Sequence, residues 1–141
     1  MSELEVKLKL VRDVGFIGQT ASRATVILKA PSMVVEAPIG ISSMELVLIA
    51  LAGCTAWDIV TILDKMKQKF DGLEVHVKGK RRSEVPRIYT DIHVHYVVYG
   101  EVDEEKLKKA IELSQKKYCS VSIMLKNGGV NIITSYEVKA K

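Results

Sequence analysis

Leu4, Val6, Leu8 and Leu10 alternate with Glu5, Lys7 and Lys9. A period of two puts one face of a strand on apolar neighbours and the other in water. Gly15 and Gly18 read as a turn, and Ala24 to Leu28 and Met33 to Glu36 read as two more short strands separated by Pro31 and Ser32. The stretch APIGISS breaks the pattern again. Ser42-Ser43-Met44-Glu45 then has the serine, two spacers and glutamate of a capping box, directly ahead of an apolar run. The spacing predicts a helix from Ser43 to about Lys69. Up to Leu63 it is apolar on nearly every face, the pattern of a helix buried all round. Its last turns, DKMKQKF, carry lysines suited to a negative helix end.

Leu73 to Arg82 and Ile88 to Tyr99 alternate cleanly around a turn at Ser83 to Pro86, which predicts a hairpin. Leu73, Val75 and Val77 share the core face with Ile92, Val94 and Tyr96 only if paired residue numbers have an odd sum. That register puts His76 opposite or near His93 or His95 on the polar face. Asp103 opens a second helix, DEEKLKKAIELSQKKY, with the stripe Leu107, Ala110, Ile111, Ser114 and Tyr118. Cys119 follows. Ser120 reads as the cap of a short helix, VSIMLK, that stops at Asn127-Gly128-Gly129, and Val130 to Val138 as a last strand.

These elements make one α+β domain over residues 1–141, an antiparallel sheet with a long buried central helix. The 141 residues supply barely enough sheet and second helix to cover every side of that helix. A partner chain is the natural source of the missing wall, so a homodimer is expected. Nothing reads as a secretory signal, and Leu46 to Leu63, broken by Thr55, Asp58 and Thr61, reads as short for a bilayer span. A cytoplasmic protein without a membrane partner follows. The net charge of +4 is mildly basic. The KGKRR tract lacks interleaved aromatics, so no nucleic-acid partner is expected.

Only two cysteines occur, Cys54 inside LAGCTAW and Cys119 between two helical segments. Buried free cysteines commonly act as small hydrophobes. A permanent disulfide is foreign to a reducing compartment, so a bond between these two would be transient and catalytic. Cys54 lies too far along its helix for the dipole to lower its pKa, and a reactive thiol there needs a cation from elsewhere. Cys119 sits at a corner where backbone N–H groups favour a thiolate. Packing residues and a reactive pair both remain open on these grounds. His76, His93 and His95 on one face raise a metal site as an alternative, against the plainer reading of polar surface residues.

MELVLIALAGCTAWDIVTIL, RSEVPRIYTDIHVHYVVYG and LSQKKYCSVSIML, in that order, resemble the OsmC/Ohr family of thiol-dependent peroxidases and its YhfA-like branch. The resemblance implies an intertwined homodimer with active sites at the subunit interface, an organic hydroperoxide as substrate and a dithiol as reductant. It implies no metal or organic cofactor. Cys54 corresponds to the peroxidatic cysteine and Cys119 to the resolving one. The family's glutamate lies ten positions before its cysteine, where this chain has Met44. Glu45 follows at nine, about 13 Å along the helix and on another face. It reads as a helix cap, with a role at the other subunit's Cys54 if two such helices pack antiparallel. Arg81, five before Pro86, has the first claim as activating cation, then Arg87, then Arg23. The rival within the same fold is a non-catalytic protein that binds a small apolar ligand or senses redox state.

Overall fold

The computed structural model describes residues 2–140. The chain falls into two compact units, residues 1–47 and 48–141, with one helix running through the boundary.

The first unit is a three-stranded antiparallel meander of β1 (Val6–Val11), β2 (Gly15–Thr20) and β3 (Thr25–Leu28). Gly15 and Gly18, expected to mark a turn, lie instead within β2. A Cβ on Gly15, at φ +145°, would stand 2.7 Å from the Leu28 carbonyl oxygen, so the glycine there permits a close strand approach. The chain turns just before, where Asp13 takes φ 66° and the Val14 N–H donates to the Val11 carbonyl. Met33 to Glu36, expected as a strand, is a turn because the Val34 and Val35 N–H groups both donate back to the Pro31 carbonyl. The APIGISS break does return to the sheet, as a parallel bridge between Leu28 and Ile41.

α1 (Ser43–Lys65) begins with the expected capping box: the Glu45 N–H donates to Ser42 Oγ, and the Ser42 N–H to Glu45 Oε1. It ends about a turn short of the expected Lys69, because Lys67 enters the left-handed region at φ 58°. Within this chain the helix buries one row, Leu51, Thr55, Ile59 and Leu63, rather than every face. Ile49, Trp57 and Val60 are 54%, 76% and 42% exposed on the opposite side. By length and composition its 23 residues suffice to cross a bilayer, contrary to the shorter reading from the sequence, although the core helix of a soluble protein passes the same test.

The second unit holds a sheet of order β4-β5-β6, formed by β4 (Gly72–Arg81), β5 (Tyr89–Tyr99) and β6 (Asn131–Lys139). β4 and β5 pair antiparallel with His76 opposite His95, the expected register. β6 lies parallel to β5, so this sheet is mixed rather than wholly antiparallel. Ile92, Val94, Tyr96 and Val98 are buried on one face. Gly79 lies under the Tyr89 ring, and a Cβ there would come within 2.5 Å of it. Between β5 and β6 run α2 (Glu104–Leu113), capped by the Asp103 carboxylate, a π-helical turn at Ser114–Tyr118, and α3 (Ser120–Asn127).

The π turn changes the helix phase. Leu107, Ala110, Ile111 and Ser114 are buried as expected, but the extra residue brings Gln115 inward and leaves Tyr118 49% exposed. The Cys119 N–H donates to the Ser114 carbonyl at 2.8 Å, five residues back. Cys119 itself, rather than Ser120, caps α3, its sulfur accepting the Ser122 N–H at 3.4 Å.

Candidate thiol site

Cys54 lies in the middle of α1, half-buried, and Cys119 lies fully buried at the start of α3. Both are free thiols, and Cys54 is a hydrogen-bonding and electrostatic neighbour of Cys119. Burial pushes the Cys119 thiol up to about 12. The Ser122 N–H opposes that rise, while the hydrogen bond with Cys54, its charge and that of Asp58 add to it. Cys119 is therefore a neutral thiol at neutral pH, poised beside the more exposed Cys54. This reverses the expectation that the helix corner favours a thiolate at Cys119: the N–H is present, but desolvation outweighs it.

A buried polar network adjoins the pair. Thr55 Oγ1 lies 2.6 Å from Tyr96 Oη and 2.7 Å from Ser114 Oγ. Ser114 donates to Asp58 Oδ2 at 2.8 Å. Gln115 Nε2 donates to Tyr96 Oη at 3.0 Å, and Ser122 Oγ donates to Gln115 Oε1 at 2.6 Å. Lys126 Nζ donates to the Gln115 carbonyl at 2.8 Å, and burial pulls its pKa down while the charge of Cys119 opposes this. Burial raises the Tyr96 phenol, against the effect of its Thr55 and Gln115 bonds. Every member is satisfied: among the described residues no buried side-chain nitrogen or oxygen lacks a partner. The visible signal in the sequence was the polar pair Thr55 and Asp58, three apart in an apolar helix. Gln115 and Ser122 carried none, because the π turn that places Gln115 has no simple spacing.

Glu45 and Arg81 have other hydrogen-bond partners. The Glu45 carboxylate is held below the ordinary glutamate range by the Ser42 backbone N–H and then the Ser42 hydroxyl. Arg81 Nε donates to the Arg87 carbonyl and Arg82 Nε to the Pro86 carbonyl, both at 2.7 Å, tying the β4–β5 turn. Arg87 Nε returns to the Arg82 carbonyl at 3.4 Å. Arg23 lies in the β2–β3 turn at φ 70°.

The histidines do converge on one sheet face. Ser135 Oγ bridges His93 Nε2 at 2.7 Å and His95 Nδ1 at 2.6 Å, while His76 Nε2 pairs with Glu74 at 2.8 Å. Among the described residues no three histidine, cysteine or carboxylate side chains are placed to hold a metal ion. A cavity of about 350 Å³ opens one helical turn from Cys54, lined by Trp57, Asp58, Ile62, Met66, Leu113 and Tyr118 among others.

Residues 36–135 match the family model for OsmC-like proteins. The chain belongs to the OsmC family. It is 39% identical over 138 residues to Protein YhfA of Escherichia coli K12, covering 97% of this chain and 99% of the relative. A hypothetical protein from Aquifex aeolicus VF5 superposes with a TM-score of 0.87 at 34% identity, over 100% of this chain and 99% of that one. The organic hydroperoxide resistance protein OhrB of Bacillus subtilis shares the fold, with a TM-score of 0.63 at 15% identity over 96% and 98% of the two chains. At that identity the likeness to OhrB is one of fold.

Proposed function

We propose that this OsmC-family protein is a thiol-dependent peroxidase that reduces organic hydroperoxides in the cytoplasm, working as a homodimer. The observation that carries the reading is the pair of free thiols, one half-buried and one fully buried, in mutual hydrogen-bonding reach. In the first step the Cys54 thiolate attacks the terminal peroxide oxygen. The O–O bond breaks, Cys54 becomes a sulfenic acid, and the alkoxide leaves as the alcohol after taking a proton. In the second, Cys119 sulfur bonds to Cys54 sulfur as the sulfenic S–O bond breaks, and its proton leaves with the hydroxyl as water. An external dithiol then reduces the disulfide by exchange. The Trp57, Ile62, Met66 and Leu113 side of the cavity suits the carbon skeleton of a fatty or aromatic hydroperoxide, while Asp58, Thr61 and Lys65 line it with polar groups.

Arg81 is proposed as the cation that favours the Cys54 thiolate, with Glu45 orienting it from the other subunit. The exposed apolar stripe Ile49, Trp57 and Val60 supports a second subunit on α1. Beside it, Gly53 has no neighbouring atom within 4 Å of where a Cβ would stand. The test is peptide mapping of reduced protein after one equivalent of cumene hydroperoxide. A Cys54–Cys119 linkage is expected. Cysteines left as thiols, with the peroxide unconsumed, would refute the reading.

A further inference from the structure

The hydrogen bonds beside the thiols run in one direction, and Asp58 sets it. A hydroxyl has a single proton, and Ser114 gives its own to the Asp58 carboxylate. The contact between Thr55 and Ser114 is then a bond donated by Thr55, and the contact between Tyr96 and Thr55 one donated by Tyr96. Tyr96 accepts from Gln115, and Gln115 accepts from Ser122. Five bonds thus lead from α3 through β5 to α1, and every proton points toward Asp58.

The two ends of this chain sit at the two thiols. Asp58 is four residues after Cys54 on the same helix, so the two side chains share a face with Cβ atoms about 6 Å apart. Ser122, at the far end, donates its backbone N–H to Cys119 Sγ. Ser114 and Gln115 both belong to the π turn that leads directly into Cys119. The chain therefore clamps the Cys119 corner onto the helix that carries Cys54.

Resting on the peroxidase reading above, we propose that Asp58 is a positioning residue for disulfide closure: its carboxylate orients the chain that holds Cys119 against Cys54, and its charge sets the pH at which closure becomes fast. The groups facing Cys119 are Cys54 and Asp58 of α1, Tyr96 of β5 and Lys126 of α3. Of these, the Asp58 carboxylate opposes ionisation of Cys119. Removing its charge eases that ionisation, and removing its acceptor loosens the corner.

The test measures closure of the Cys54–Cys119 disulfide from mildly acid to mildly alkaline pH with two oxidants. Cumene hydroperoxide acts through the sulfenic acid. Diamide adds a thiolate at its azo nitrogen, and the second thiol displaces it as the hydrazine. Asp58→Asn keeps an acceptor for Ser114 without the charge, and its closure profile is expected to move to lower pH with both oxidants. Asp58→Ala loses the acceptor too, and closure is expected to slow by about tenfold, with Cys54 passing to sulfinic acid under peroxide. Asp64→Asn, an exposed carboxylate on the same helix, is the control and is expected to match wild type. An Asp58→Asn profile coincident with wild type for both oxidants overturns the proposal, even if Asp58→Ala fails to fold. A shifted profile with diamide, but no reaction with hydroperoxide in any variant, supports the role of Asp58 and sinks the peroxidase reading.

Discussion

Thr55→Val and Tyr96→Phe each delete one buried hydroxyl from the same bond, and the direction of the chain predicts that they differ. Valine keeps the shape of threonine but leaves the Tyr96 proton with no acceptor in a fully buried site. It also removes the donor to Ser114. A lost bond and an orphaned buried donor together cost about 2–4 kcal/mol. In Tyr96→Phe, Thr55 still donates to Ser114, and Gln115 Nε2 still has Thr55 Oγ1 at 3.4 Å. No donor is stranded, and the cost is about 1–2 kcal/mol. In the double variant the orphaned Tyr96 proton is gone, but Gln115 Nε2 loses both of its acceptors and becomes the stranded donor instead, so the comparison of the two single variants carries the test. Urea unfolding of the reduced proteins at one fixed concentration reads all three, since association would otherwise shift the midpoint. A Tyr96→Phe cost equal to or above that of Thr55→Val would refute the assigned direction.

Three further outcomes follow from other parts of the fold. Gly79→Ala forces a methyl to within 2.5 Å of the buried Tyr89 ring and should cost about 1–3 kcal/mol, read as a lowered Tm. In Cys54→Ser protein the ultraviolet thiolate band of Cys119 should rise only well above the ordinary thiol range, because burial is the largest cause of its raised value near 12. Its folded pKa exceeds the unfolded one, so its contribution to stability is complete below the ordinary thiol range and is lost as pH climbs toward 12. A reduced protein whose unfolding midpoint is flat across that alkaline window would contradict this. Gly53→Glu places a charge where this chain has open space, and should leave a folded monomer in place of the proposed dimer. Light scattering on the eluted peak decides, and a dimeric variant would remove the α1 stripe from the interface.

What the sequence disclosed was local. The Ser42–Glu45 box, the helix opened at Asp103 and the β4–β5 register each depend on residues a few positions apart or on strict alternation, and each is present in the structure. The glycines of β2 misled because their reason is a strand passing close by, which is a long-range fact. Met33 to Glu36 misled because backbone bonds to the Pro31 carbonyl override β propensity. At the thiols, the two cysteines were legible as a pair through family resemblance. The clamp around them was not, since Thr55, Asp58, Tyr96, Ser114, Gln115 and Ser122 come from four elements and one of those is a π turn. An apolar helix with one side exposed likewise looks buried all round in sequence, because the pattern records every wall the helix prefers.

A peroxidase of this kind must turn over at Cys54. Consumption of cumene hydroperoxide with dihydrolipoamide as reductant, followed for wild type and Cys54→Ser, tests it most directly. Many turnovers per wild-type subunit and none for Cys54→Ser are expected. Equal and negligible consumption by both proteins would contradict this and leave Cys54 a packing residue or a slow redox sensor.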